Sequence, residues 1–572
     1  MTGVALVLAF ARLSAACGQD HADPDGGNPD GGGADGVTSD AGNADAGQPD
    51  GGVDASWQTF TTTTTTLTVF SSEPLLANSP FFGIEVRKNG VDITDDIVNV
   101  ESLSASSWRY TFGTEVLNTS GDTIGVSLQN RALAAPGHYV AVRSTVQAMY
   151  QLLSDCQAGI GACANDPPLP GLLASVKGMS RRYSPRDLEP AQGVHDFSAI
   201  FDDAAFLSSV GMKLHVMFTI KSFPQGHTLS DGDGVRVLFP VPAAWDKNRD
   251  REVHVYVDGE ERGFAFNAAR TNVVLAVAPP IGTQNVFVVY SRDPFPEYTW
   301  HLDPPVAGWF EGMGGPGAGP QGSHGFVHAP WRATCVTWMR SFLAAFQEQW
   351  TAALSADATL AGAIESVSVQ ETSNSLGGPG YSAQTYSAGL LEYAKSNARA
   401  VRRRAMFGQL FNFISGGVPT GALAALATAI IPWGARLEGP DLFNDEASLE
   451  DKVYQFVHRD QHDKALTMIW HQNDSYAEPD DLGGFYTPAQ QFEKAQRGVT
   501  DSQTASGTPG LEAEYVFWNM TPSSESGQNW KDALPVIAAN PIIQTSGNDR
   551  YLWRRASDAV PIGDQSLSSV NP

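Results

Sequence analysis

Residues 178–220 read "GMSRRYSPRDLEPAQGVHDFSAIFDDAAFLSSVGMKLHVMFTI". The run that closes on Tyr183 and the run "KLHVMFTI" both suit buried strands, and the text between them passes a Pro-Gly turn into a helix. The same rhythm continues along the chain. Strand-like runs stand at "LASVKGMSRRYS", "KLHVMFTI", "SVSVQE", "FGQLFNFI", "IIPWGARL", "LTMIWHQND" and "EYVFWNM", with helical segments between them such as Ala383 to Arg404 and Pro488 to Arg497. Repeated strand-then-helix units imply a parallel sheet, and about eight of them imply an α/β chain closed as a (β/α)8 TIM barrel. Counting from "LASVKGMSRRYS" as the first strand leaves the third to be found near Gly325 to Val327, ahead of a helix from Pro330 to Thr351.

Two β-rich stretches fall outside that rhythm. From Trp57 to Arg143, short runs such as "TLTVFS", "FFGIEVRKNG", "WRYTFG" and "HYVAVRS" alternate with Gly and Asn turns, as in a small sandwich. Residues 229–297 hold five more, among them "REVHVYVDG" and "NVFVVYS". On this count they form a second β module inserted after barrel strand two. Loops that follow barrel strands lie on the C-terminal face, so the insert is expected to wall a cleft there. The expected organisation is an export signal (1–17), an Asp/Gly-rich tether (18–56), a β module (57–143), a joint (144–171), the barrel (172–228 and 298–572) and the insert (229–297).

The chain has 572 residues and a net charge of −26, and it shows no basic stripe to neutralise phosphates, so nucleic acid is excluded as a partner. Much of the negative charge lies in the tether, too polar to offset its ordering entropy. Thirteen Trp, 15 Tyr and 28 Phe exceed what packing needs and suit a cleft in which rings stack on sugar faces. Cys156 and Cys163 in "CQAGIGAC" are close enough to close a small disulfide loop, which an oxidising compartment permits, leaving Cys335 as a buried thiol. Neither spacing suits zinc, and no metal or cofactor is expected.

At the N-terminus, a short apolar run ends in "LSAAC", which resembles the lipobox of bacterial lipoproteins. That resemblance implies lipidation of Cys17, an exported or surface location, and membrane contact only through the lipid. A second resemblance rests on "YSPRDLEPAQGVHDFS" (183–198). It is similar to the segment that follows the first strand in retaining (β/α)8 glycosidases related to β-galactosidases, xylanases and cellulases. Glu189, Gly193, Asp196 and Phe197 within it read as turn, cap and core residues.

What the second resemblance implies concerns "SVSVQETS" (366–373). If this is strand four, Glu371 falls at its C-terminal end, the place of the general acid/base in that superfamily, with Gln370 where an asparagine is expected. A proton donor there must hold its proton near neutral pH. The second carboxylate is open. Strand seven ends without a glutamate and offers Asp474, with Glu478 beyond, while strand six ends in "RLEGPD" and offers Glu438 and Asp441. Arg181, Lys221, Asn374, Trp433, Trp470, His471, Tyr476 and Trp518 are candidate contacts to sugar hydroxyls and ring faces, Trp518 as a stacking floor.

The implied function is a monomeric glycoside hydrolase cleaving a β-linked polysaccharide or oligosaccharide. A glycan-binding surface lipoprotein without catalysis is the rival, and a non-sugar hydrolase on the same barrel is a third reading.

Overall fold

The computed structural model describes residues 57–567 apart from 64, 72–83, 105–106, 114–123, 129–134, 143, 223, 243–244, 247–249, 259, 312–323, 370–375, 378–379, 402–403, 412–419, 440–449, 462–464, 472–487, 500–509, 520–530, 532 and 540–564. Its centre is a closed barrel of eight parallel strands. In chain order these are β1 (Gly137–Val142), β2 (Val176–Tyr183), β3 (Lys213–Phe218), β4 (Ile364–Val369), β5 (Met406–Leu410), β6 (Ala435–Gly439), β7 (Thr467–His471) and β8 (Tyr515–Asn519). Each pairs with the next, and β8 closes on β1 through Phe517 opposite Tyr139. A helix follows every strand: α1 (Val146–Ala158), α2 (Ser198–Ser209), α3 (Ala333–Ala356), α4 (Ala383–Val401), α5 (Thr420–Ile430), α6 (Glu450–Arg459), α7 (Pro488–Val499) and α8 (Ala533–Ala539). The chain is a (β/α)8 barrel with added β modules.

The count of strands needs one correction. "HYVAV", taken as part of the N-terminal module, is β1, so the strand expected to be first is β2 and "KLHVMF" is β3. The missing third strand near Gly325 therefore does not exist. His324–His328 belongs instead to an antiparallel sheet with Lys221–Ser222, Ala307–Glu311 and Leu376–Gly377. Two of those pieces leave the C-terminal ends of β3 and β4, so this sheet lies on the C-terminal side of the barrel. From β4 onward, strand numbers agree with the sequence reading.

The insert likewise enters after β3 rather than after strand two. One of its sheets joins Pro224–Gly232, Gly282–Arg292, Asp250–Val257 and Glu260–Arg262, and the other joins Leu238–Pro240, Asn272–Leu275 and Phe264–Phe266. Phe239, Val255, Val273, Val286 and Val288 give it a core of its own. The N-terminal module has two four-stranded sheets, and Gln565–Leu567, expected in the barrel, pairs with Ile124–Leu128 at the edge of one of them.

Alternation along the strands separates two apolar sets. Tyr139, Met217, Met406, Leu410, Met468, Trp470, Tyr515 and Phe517 fill the lumen. Their neighbours Val140, Val216, Phe407, Leu437, Ile469, Val516 and Trp518 face the helices.

Residues 184–198 hold the first described helix-side clamp. Glu189 is buried and accepts hydrogen bonds from Trp338 Nε1 on α3 at 3.0 Å, Tyr298 Oη at 2.7 Å and the Gly193 backbone N–H at 3.1 Å. Phe197 packs edge-on against Phe342 and Phe346, each ring 5.2 Å away. Asp196 accepts from Ser198 at the start of α2, and its hydrogen bonds to that residue's hydroxyl and backbone N–H hold its carboxyl below the ordinary range. The segment that carries the glycosidase resemblance is a structural one. Cys156 and Cys163 are bonded, closing the end of α1 onto the turn that follows it. Cys335 is free and buried beside Tyr393 Oη at 2.8 Å, and burial pushes its thiol up to about 12.

Candidate active site in the barrel lumen

Strand parity sorts the expected site residues. Glu438 and Trp470 point into the lumen, where Trp470 Nε1 lies 3.4 Å from Glu438 Oε2. Arg181 does not. It follows Ser180, which is lumenal, and therefore turns outward, where it pairs with Asp203 of α2; Tyr183 Oη bonds the same carboxylate at 2.5 Å. Trp518 is also on the helix side, fully buried, with its indole N–H donating to His138 Nδ1 at 3.0 Å.

Trp433 precedes β6 and so lies at the N-terminal end of the barrel, buried under the cations of Lys395 and Arg399 on α4, each 5.6 Å from the ring. Lys221 is buried in the antiparallel sheet beyond β3, beside His328. His471 is the last residue of β7. Glu371, Asn374, Asp441, Asp474, Tyr476, Glu478 and Cys17 lie outside the described residues, as does the His471 side chain.

Inside the lumen, one hydrogen-bonded chain crosses four strands. Ser180 Oγ of β2 is 2.7 Å from His215 Nδ1 on β3, and His215 Nε2 is 2.8 Å from Ser368 Oγ on β4. Ser368 donates its hydrogen to Glu438 Oε1 on β6 at 2.5 Å. Since that hydroxyl has one proton and gives it to a carboxylate, it accepts from His215, so Nε2 carries the imidazole hydrogen and Nδ1 accepts from Ser180. Arg436 Nη2 donates to the same Oε1 at 3.0 Å and to Ser366 Oγ at 2.8 Å. Its guanidinium lies 4.6 Å from the centre of the Tyr515 ring.

Charge states follow from the geometry. Burial pushes the Glu438 carboxyl up, but His215, Arg436 and Ser368 together outweigh it and hold it below the ordinary carboxylate range. His215 Nε2 is 3.8 Å from Oε1, beyond direct bonding, so it acts through Ser368 and through space. Burial, against the pull of Glu438, leaves the His215 imidazole below its usual value and neutral. Arg436 stays charged because Glu438 offsets its burial. Glu438 is 0% exposed and ionised, so it holds no proton to give a leaving group near neutral pH.

Strand parity also reveals two residues that the sequence reading passed over. Arg182 stands opposite lumenal Met217 at the C-terminal end of β2 and is exposed. Asn519 ends β8 opposite Ala141, which packs on the lumenal cluster, and is half-buried. Each adjoins an expected contact, Arg181 and Trp518 respectively. Fixing the inward face from Ser366 and Ser368 around the whole barrel would have shifted both by one position.

A cavity of about 580 Å³ lies elsewhere, between the N-terminal module and the α3–α4 pair, lined by Asp95, Asp96, Arg340, Glu392, Lys395 and Arg399 among others. It shares no residue with the lumen. Among the described residues, no group of three or more His, Cys, Asp or Glu is placed to hold a metal ion, and no helix is long and apolar enough to cross a membrane.

No protein-family model matches the chain, and no curated protein does. Solved structures similar to it include endo-glycoceramidase II from Rhodococcus sp. with a cellobiose-like isofagomine, at 10% identity and a TM-score of 0.33 over 71% of this chain and 79% of that one. Another is a glycoside hydrolase family 30 subfamily 8 xylanase from Clostridium acetobutylicum, at 10% identity and a TM-score of 0.30 over 71% and 72%. A family 5 subfamily 18 protein from Bifidobacterium longum, complexed with a Manβ1-4GlcNAc disaccharide, gives 12% identity and a TM-score of 0.31 over 68% and 76%. At such identities the fold rests on the barrel's own strand pairing, a closed ring of eight parallel strands each followed by a helix.

Proposed function

We propose that the chain is a glycoside hydrolase that cleaves a β-linked polysaccharide or oligosaccharide at the C-terminal mouth of its barrel, with Glu371 as proton donor. The observation that carries this reading is the position of β4. Its last residue is Val369, so Gln370 and Glu371 are the next residues where the chain leaves the C-terminal end of the fourth strand. That is the position of the acid/base glutamate in the superfamily that the sequence resembles. Glu371 would protonate the leaving glycosidic oxygen while a second carboxylate attacks the anomeric carbon or activates a water. A separation of about 5 to 5.5 Å gives retention and a wider one gives inversion.

Asp474 is the favoured second carboxylate, because it follows β7 and because Glu438 is engaged inside the lumen. Arg182, Asn519 and Trp470 are the described candidates for contact with substrate from below. Export and lipidation at Cys17, with the acidic tether giving reach to insoluble or surface glycans, complete the proposal.

The test is release of reducing ends from plant, algal and microbial polysaccharides by the chain from Trp57 onward, with Glu371→Gln alongside. The expected result is cleavage of one substrate, with a loss of at least about 100-fold in the variant, the range for a missing general acid/base. Equal binding of one glycan by both proteins, with no cleavage by either, would replace this reading with that of a glycan-binding protein.

A further inference from the structure

We propose that Glu438 is a positioning residue that ties the ends of β4 and β7 to one another across β5 and β6, with Gly408 left bare to let it pass. The proposal rests on the glycosidase reading insofar as Glu371 and Asp474 follow those two strands.

The geometry is specific. In the barrel β5 stands between β4 and β6, so a carboxylate on β6 must cross β5 to reach β4. It crosses at Gly408, where an added Cβ would sit 1.7 Å from Glu438 Oε1 and 2.2 Å from Ser368 Oγ. Any other residue at 408 would occupy the place of the carboxylate. Oε1 then holds Ser368, three residues before Glu371, and Oε2 faces the indole N–H of Trp470, four residues before Asp474. The neighbouring Arg436 holds Ser366 on the same strand. Thus β4 is pinned at two successive lumenal positions, both serines, where a barrel core ordinarily carries branched apolar side chains.

An ion pair buried this deeply is seldom more stabilising than an apolar replacement of the same volume. Stability alone therefore gives little reason for it. The polar ties are also uneven around the ring. The hydrogen bonds that converge on Glu438 and Arg436 come from β2, β3, β4, β6 and β7, whereas on β8 Tyr515 donates to Glu365 near the start of β4, and β1 and β5 present Tyr139, Met406 and Leu410 to the lumen.

The test uses the full chain and its Glu438→Gln and Gly408→Ala variants. Amide hydrogen exchange is followed in peptides spanning β4 and β7 with the residues after them, and in Asp250–Val257 of the insert as reference. Exchange at the ends of β4 and β7 is expected to rise at least about tenfold in Gly408→Ala and by less in Glu438→Gln, which keeps the side chain's length and one acceptor oxygen, with the reference unmoved. Uniform acceleration, or none at these ends, overturns the proposal.

On a substrate that the wild type cleaves, Glu438→Gln should lower kcat with KM unchanged; an unchanged kcat overturns it too. A wild type that cleaves nothing counts against the glycosidase reading, and the exchange measurement still decides whether the tie exists.

Discussion

His458 offers a prediction whose size can be worked from the structure. It lies near the end of α6, is fully buried, and has no hydrogen-bond partner on either ring nitrogen among the described residues. The ring fits against Gly439 of β6, where a Cβ would stand 2.4 Å from Nε2. Burial first, then the nearby cations of Arg459 and Arg497, lower its pKa from 6.5 to about 3. In the unfolded chain the imidazole binds a proton below about 6.5, and in the fold it does not, so the unfolded state takes up more protons between those values. Stability is therefore full above about pH 6.5 and is lost as pH falls toward 3.

At about pH 5 the deficit is roughly 1.5 units, which at about 1.36 kcal/mol per unit is about 2 kcal/mol. His328, lowered to about 3 by burial and then by Lys221, adds a similar amount. Urea unfolding followed by tryptophan fluorescence, at about pH 7 and about pH 5, should show wild type losing about 2 kcal/mol more than His458→Leu over that interval. At neutral pH the variant should be close to wild type, because leucine gives up no hydrogen bond. An identical pH loss in both proteins would refute the reasoning.

Two further outcomes are expected. Glu189→Ala strips the acceptor from Trp338, Tyr298 and Gly193 at once, so it should cost about 3 to 5 kcal/mol in a thermal or urea melt, as for other broken buried charged networks. Trp518→Phe, on the helix side, should lower stability by about 1 kcal/mol or more and leave KM unmoved, whereas Arg182→Met and Asn519→Ala at the mouth should raise KM, measured on whichever glycan is cleaved.

Much of the barrel was legible because strands buried on both faces read as apolar runs, and "KLHVMFTI", "LTMIWH" and "EYVFWNM" stand out against their helices, whereas in "IIPWGARL" only the last three residues belong to β6 and Ile430–Trp433 are helical. What failed was a matter of context. "HYVAV" has the same composition as the sandwich strands before it, and nothing local distinguishes a first barrel strand from a last module strand. That one ambiguity displaced the insert by one strand and created the need for a strand near Gly325. The lumen was less legible than the frame. Ser366 and Ser368 alternate visibly, but their partners Arg436 and Glu438 lie 70 residues on, and Gly408 has meaning only once β4 and β6 flank it. Residue type alone points to Arg181 and Trp518, and the pleat turns both away from the lumen.

The strand Gln565–Leu567 gives the chain an unusual order of assembly. It completes the edge of a sheet whose other strands lie within residues 84–128, so this module waits for a segment synthesised only after all eight barrel strands. The barrel in between must already be compact for that segment to arrive, because closing so long a loop in an open chain is slow. Deleting Gln565–Leu567 would then be felt in the module made first, while the barrel strands made later keep all their neighbours.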